Sequence, residues 1–301
     1  MKLLILGGSG QLSGRITELA LEQGHDVRTL TRGRRPLPEG IQALKADRED
    51  DASVRGAIEN ANTRWDACID CTGRTPKSAK QCVEIISRYT ERFVVVSTDS
   101  VYHPAFKTVP QDESNEHYLT DGGYGATKRL MEEVFIASDL NYTIFRPGHI
   151  FGAGFQLGCY PEHSRQPELL DYMRSSKPLR LVGGGKFLIH PIYVDDLALA
   201  LLDCIDKPAA FRQIFCIGGR DVVTNADYFR LVGRIIGCDV EIADAPVEGY
   251  LEAHPQYSGH LCHRCYDMTK LREAGIRVPC TSLEEGLRQQ IAWLETARRI
   301  L

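Results

Sequence analysis

The stretch from Lys2 to Gly14 constrains this chain more than any other. Lys2-Leu3-Leu4-Ile5-Leu6 has the length of a buried strand, and Gly7-Gly8-Ser9-Gly10-Gln11-Leu12-Ser13-Gly14 follows without a break. Leu12, Ile16, Leu19 and Ala20 then recur at helical spacing. A strand that runs through glycines into a helix brings free backbone N–H groups up to an anion, because glycine permits the tight turn and the close approach. At the head of continuing β-α-β alternation, this string points to a dinucleotide phosphate site rather than a bare turn. Gly7, Ser9, Gly10, Gln11 and Leu12 are its expected cradle.

The alternation continues. Strands are expected at 27–31, just before Ala46, at 66–71, 92–97 and 142–146, with helices over 51–61, 79–89 and 124–138. That rhythm predicts an α/β fold, a Rossmann-type doubly wound parallel sheet with helices on both faces, and a smaller C-terminal substrate lobe. After Pro147 the rhythm breaks. Residues 147–165 form a Gly-, Pro- and aromatic-rich loop, followed by helix 166–175, the Gly183-Gly184-Gly185 loop, helix 195–205 and strand 213–217. Thr224 is placed to cap helix 225–236, residues 244–266 read as irregular, and Ser282 with Glu285 reads as a capping box for a helix ending near Arg298. Residues 1–150 are therefore the expected dinucleotide-binding domain, with later sheet and helix elements near 186–236. Residues 151–185 and 237–301 are expected mainly in the lobe.

The end of the second strand bears on the choice of cofactor. An acid there would hold the adenosine ribose hydroxyls and favour NAD. This chain has Thr31-Arg32-Gly33-Arg34-Arg35, whose guanidiniums suit a 2′-phosphate, so NADP is favoured over NAD. Asp47, after the third strand, is placed to touch adenine, and Thr72 and Gly73, after the fourth, to flank the dinucleotide.

Tyr124-Gly125-Ala126-Thr127-Lys128 opens a helix, so Tyr124 and Lys128 share one face. An ammonium beside a phenol favours the phenolate, and a tyrosine so tuned can pass a proton to or from a carbonyl or alcohol while hydride moves. Thr98, in the Ser97-Thr98-Asp99-Ser100-Val101-Tyr102 run that ends a buried strand, is the expected hydroxyl for orienting the reacting oxygen.

These runs, with Arg146-Pro147-Gly148-His149-Ile150-Phe151-Gly152, Tyr193-Val194-Asp195-Asp196 and Tyr266-Asp267-Met268-Thr269-Lys270, resemble the extended short-chain dehydrogenase/reductase superfamily, of the NAD-dependent epimerase/dehydratase type. The resemblance implies Thr98, Tyr124 and Lys128 as a catalytic triad, Lys128 also on the nicotinamide ribose, and Pro147 and His149 beside the nicotinamide. It further implies a homodimer and a small-molecule substrate, a sugar or a sugar nucleotide. Two departures shape the expected chemistry. Ser100 stands where the family's dehydratases carry an acid, and the stretch Phe187-Leu188-Ile189-His190-Pro191-Ile192 lacks the arginine that nucleotide-sugar enzymes carry before the Tyr-Val-Asp-Asp run. Asp99, Ser100, Cys159, His163, His190 and Arg264 are the expected substrate contacts. Arg264 is the candidate to replace the missing arginine. The alternative is a non-catalytic NADP sensor or an RNA-associated protein of the same fold.

Composition narrows the field. A formal net charge of −4 gives no basic face for nucleic acid, and no run is long and apolar enough for a membrane span. The expected location is cytoplasmic, where ten cysteines are mostly small buried hydrophobes. Cys262-x-x-Cys265 with His260 and His263 has zinc-like spacing, but its second pair would have to come from the distant 159–163 loop, and no metal is expected.

Overall fold

The structure, a computed structural model, describes residues 1–300 and side chains as far as residue 297. Strands β1 (Lys2–Leu6), β2 (Asp26–Thr31), β3 (Gln42–Lys45), β4 (Ala67–Asp70), β5 (Arg92–Val96), β6 (Asn141–Pro147) and β7 (Gln213–Ile217) form one sheet. Its order is β3-β2-β1-β4-β5-β6-β7, and every pairing is parallel. The order reverses direction at β1, so a crevice opens beyond the carboxyl ends of β1 and β4. This is the doubly wound Rossmann-type sheet that the β-α alternation predicts.

Helices α1 (Gln11–Glu22), α2 (Asp51–Ala61), α3 (Pro76–Glu84) and α4 (Tyr124–Ile136) lie between the first six strands. Side chains alternate across each strand, so Leu3 and Ile5 pack with Ile16 and Ala20 of α1 on one face. Leu4 and Leu6 face Val54 of α2, Cys82 of α3 and Met131 of α4 on the other. With both faces covered, the central strands β1, β4 and β5 are largely apolar, whereas β2 and the edge strand β3 carry Asp26, Arg28, Gln42 and Lys45.

Beyond β6 come α5 (Leu169–Arg174), α6 (Val194–Asp203), α7 (Asn225–Ile236), α8 (Val247–Ala253), α9 (Thr269–Glu273) and α10 (Leu283–Ile300). Helix α6 returns to the sheet, and Arg15 of α1 forks onto Asp195 at 2.7 and 3.0 Å, so the Tyr-Val-Asp-Asp run ties two helices together. A second core joins Phe151, Leu157, Leu170 and Leu181 to Tyr228 and Phe229 of α7 and Leu287 and Ile291 of α10. Helix α7, grouped with the sheet region from sequence, thus packs with the lobe. Leu271 of α9, counted with the lobe, packs against the sheet core.

Residues 244–266 are more ordered than their sequence suggests. Ile242–Ala245 pairs in parallel with Leu179–Val182, then α8 and a 3-10 segment at Pro255–His260 follow. The strand's partner lies far away in sequence, so local pattern carries no trace of it. Thr224 caps α7 through the Asp227 N–H, and Ser282 accepts from the Glu285 N–H at 3.2 Å, as their spacing predicts.

Candidate active site

The crevice divides into two adjoining spaces. The first, of about 700 Å³, lies over the loop after β1 and is lined by Gly7, Ser9, Gly10, Thr31, Arg32, Arg34, Asp47 and Thr72 among others. Gly7 and Gly8 hold φ of +124° and +93°, and a Cβ on Gly8 would run into Thr29. Ser13, where a third glycine is usual, is buried, and its Oγ accepts from the Gly10 N–H at 3.0 Å, so this serine caps α1 from inside the loop. Gln11 does not line this space; its amide donates to the Gly154 oxygen at 2.7 Å. Leu12 packs between the two cores. Asp47 has a local role as well, its carboxylate accepting from the Glu49 N–H at 3.1 Å.

Arg32, Arg34 and Arg35 are exposed around the mouth, and among the described residues none of them has an ion-pair partner. Arg48, which sequence reading passed over, lies in the floor. Its guanidinium donates to Asp70 at 2.7 Å and to the Thr72 hydroxyl at 2.8 Å. Asp70 in turn accepts from the Thr72 and Gly73 N–H groups, which fixes the turn after β4. The signal was an acid at the end of a buried strand, which needs a partner.

The second space, of about 390 Å³, lies beyond β5 and β6 and is lined by Thr98, Asp99, Ser100, Tyr124, Pro147, His149, Cys159 and Arg264 among others. Arg74 lines both spaces. Thr98 Oγ1 accepts from the Ser100 N–H at 3.2 Å, which leaves the threonine proton free to donate. Tyr124, at the start of α4, is 57 % exposed. Gly125 sits so close to the Ser100 carbonyl that a Cβ there would collide with it, which seats Tyr124 beside the Thr98 turn.

Lys128 differs from its expectation. Its ammonium is buried beneath the floor and donates to the Gly73 and Val96 oxygens at 2.7 and 2.6 Å. Burial pushes its pKa down to about 8. The Tyr124 pKa is raised by desolvation against the cleft wall, with Arg74 the leading cation opposing the rise. The hydrogen bonds of Lys128 therefore run to main-chain carbonyls rather than to the phenol.

Asp99, an expected substrate contact, lines the cleft but is engaged by the protein's own cations. It is buried, with Lys107 Nζ at 2.7 Å and Arg264 Nε at 3.0 Å. Burial works against its charge, but Lys107 and Arg264 outweigh burial and hold the carboxyl below the usual range. It therefore carries no proton to give at neutral pH. Arg264 meets a carboxylate as expected, but that carboxylate belongs to the protein. Ser100 lies within 3.4 Å of Asp99. His149 is kept neutral, pushed down to about 3 by burial, then by Arg165 and Arg264. Cys159 is buried on Asn225 at 2.9 Å.

Two expected substrate residues lie outside the cleft. His163 bonds Gln166 at 2.8 Å and the Arg180 oxygen at 3.1 Å. His190 is buried, accepting from the Tyr266 N–H at 3.1 Å and reaching the Gly219 oxygen at 2.8 Å. Both ring nitrogens of each histidine are occupied, so these are packing roles. Among the described residues no group of His, Cys, Asp and Glu could hold a metal ion, and all ten cysteines are free.

A parallel sheet with a glycine-turned helix N-terminus at its switch point, and a hydroxyl and a phenol at the neighbouring strand ends, defines a nucleotide-binding α/β protein of the dehydrogenase kind. The chain belongs to the NAD dependent epimerase/dehydratase family, whose model matches residues 3–218. It is 27 % identical over 294 residues to the 2-alkyl-3-oxoalkanoate reductase of Stenotrophomonas maltophilia, covering 90 % of this chain and 85 % of that protein. It is 23 % identical to the chloroplast stem-loop binding protein of 41 kDa b of Arabidopsis thaliana over 74 % of this chain, and spans 60 % of that protein's length. Among solved structures it is similar to the UDP-glucose 4-epimerase of Thermotoga maritima, with a TM-score of 0.80 at 21 % identity over 99 % of this chain and 100 % of that one.

Proposed function

We propose that this protein transfers hydride between a bound nicotinamide dinucleotide and a carbonyl or alcohol of a sugar or sugar-nucleotide-like substrate. The observation that carries the reading is the juxtaposition of Thr98 and Tyr124 in a cleft that shares Arg74 with the glycine-turned crevice. The crevice suits the dinucleotide on its own terms: Gly7 and Gly8 hold φ of +124° and +93°, so the backbone can approach a pyrophosphate at the α1 N-terminus. The unpaired Arg32, Arg34 and Arg35 at its mouth favour NADP over NAD. When bound, the dinucleotide supplies or accepts the hydride.

The chain's own groups do the rest. Thr98 donates its free proton to the reacting oxygen and orients it. Tyr124 gives its phenolic proton to that oxygen in reduction, or takes one from the hydroxyl in oxidation. Lys128 holds the Gly73 and Val96 carbonyls, a positioning role that keeps the floor of the cleft in register. Asp99, ion-paired and deprotonated, stays outside the proton transfers, so the reading excludes water elimination through it and leaves reduction or epimerisation. Small-molecule partners, a homodimer and a cytoplasmic location belong to the same reading.

The test is direct. Protein is mixed with NADPH and a panel of keto sugars, nucleotide-linked and free, and loss of reduced-cofactor absorbance is followed. Tyr124→Phe should lower kcat by about 100-fold or more with Tm unchanged, since removing a positioned general acid costs about 10²–10⁴ and the side chain is largely exposed. Full activity in that variant would end the reading. An RNA-associated role is the alternative, and a gel shift with stem-loop RNA that ignores Tyr124→Phe would favour it.

A further inference from the structure

We propose that one wall of the cleft is a stacking subsite for a planar ring on the substrate, built from Tyr160 backed by His260. The inference rests on the hydride reading for the same cleft and adds what the substrate carries besides its reacting carbon. The Tyr160 and His260 rings lie 3.8 Å apart at 10°, face to face, and both line the cleft. One face of Tyr160 is covered by the imidazole, and the residue remains 40 % exposed.

The presentation is built rather than incidental. Cys159 and Pro161 on either side of Tyr160 are buried. Asn225, itself buried, donates to the Tyr160 carbonyl at 2.6 Å and accepts from Cys159 Sγ at 2.9 Å. An aromatic ring held by a buried clamp loses little freedom when a ligand stacks on it. The Tyr257 ring lies 6.1 Å from that of His260, tilted by 41°. Burial and Arg264 keep the imidazole uncharged near neutrality, so it backs the tyrosine as a neutral ring.

The electrostatics of the same cleft select the ring's companion group. Three arginines line it, against one carboxylate, in a chain whose net charge is −4. Arg264 and Asp99 pair with each other, while Arg74 and Arg165 have no ion-pair partner among the described residues. A planar ring that carries an acidic group therefore fits the wall. A nucleobase with its phosphate and a simple aryl acid share this chemistry.

The experiment uses the full chain saturated with NADP, so that the dinucleotide crevice is filled, and measures Kd by calorimetry for uridine 5′-monophosphate, phenyl phosphate and ribose 5-phosphate. The two ring-bearing probes should bind about 10-fold or more tightly than ribose 5-phosphate, and Tyr160→Leu should erase that difference while Tyr160→Phe keeps it. Preference for the uridine probe over phenyl phosphate identifies a nucleobase, and equal affinity identifies an aryl group. Upfield ring-current shifts of the probe's aromatic protons in the unmodified protein give the same answer if Tyr160→Leu fails to fold. Equal binding of all three probes, binding of none, or a ring preference that survives Tyr160→Leu overturns the proposal. The binding contrast is also read in Tyr124→Phe, so failure of the hydride reading and failure of the stacking site are separate results.

Discussion

At the scale of single residues, the cleft is governed by which charges have partners. Asp99 is the clearest case. Its carboxylate is buried, yet Lys107 and Arg264 outweigh the cost of burial and depress its pKa. A depressed carboxyl contributes stability that is present above the unfolded pKa, near 4, and lost as pH falls toward the folded value. Asp99→Asn should therefore destabilise the protein by about 3 kcal/mol at pH 7, by leaving two buried cations without their anion. Urea unfolding at pH 7 and again near pH 3 checks the sign: the gap to wild type should shrink at the lower pH. A gap that holds constant would mean the carboxylate's charge is not what the pair contributes.

At the scale of elements, the placement of Tyr124 in the cleft depends on how α4 is held against β5 and β6. Arg146 on β6 forks onto Glu132 of α4 at 3.0 and 2.6 Å and reaches the Tyr102 hydroxyl at 2.6 Å. Both members of the pair are fully buried. Such a pair adds little net stability compared with apolar residues of the same size, but breaking it on one side is severe. Arg146→Met alone should cost about 3–5 kcal/mol, and Glu132→Leu with Arg146→Met should recover most of the loss. Denaturant midpoints of wild type, Arg146→Met, Glu132→Leu and the double variant measure this coupling, and simple additivity would contradict it.

At the scale of the whole molecule, the distribution of charge is what the proposed NADP preference rests on. Arg32 and Arg34 are exposed at the rim of the dinucleotide crevice, far from the packed core, so replacing them leaves the fold alone. Arg32→Asp with Arg34→Ser should raise the Kd for NADPH about 10-fold or more and leave NADH nearly unchanged, since only the former carries a 2′-phosphate to pair. Fluorescence titration with the two reduced cofactors separates them. Equal weakening of both would assign the arginines to the pyrophosphate instead.

Much of this molecule is legible in the linear chain because its signals are local. The strand–glycine–helix opening, the alternation of β and α, the Thr224 cap and the helix that opens at Tyr124 each depend on residues within a turn or two of one another, and all appear as expected. Tertiary structure alone decided the partners of the buried charges. Lys128 faces the Gly73 and Val96 carbonyls and not the phenol, Asp99 is claimed by Lys107 and Arg264, and His163 and His190 turn away into the lobe. It also decided that Ile242–Ala245 is a strand, and that Tyr160 meets His260 across 100 residues of sequence. The physical reason is the same throughout. Local backbone preference and hydrophobic period are written in neighbouring residues, whereas a buried polar or aromatic group is satisfied by whatever the packing of distant elements brings within about 3–4 Å.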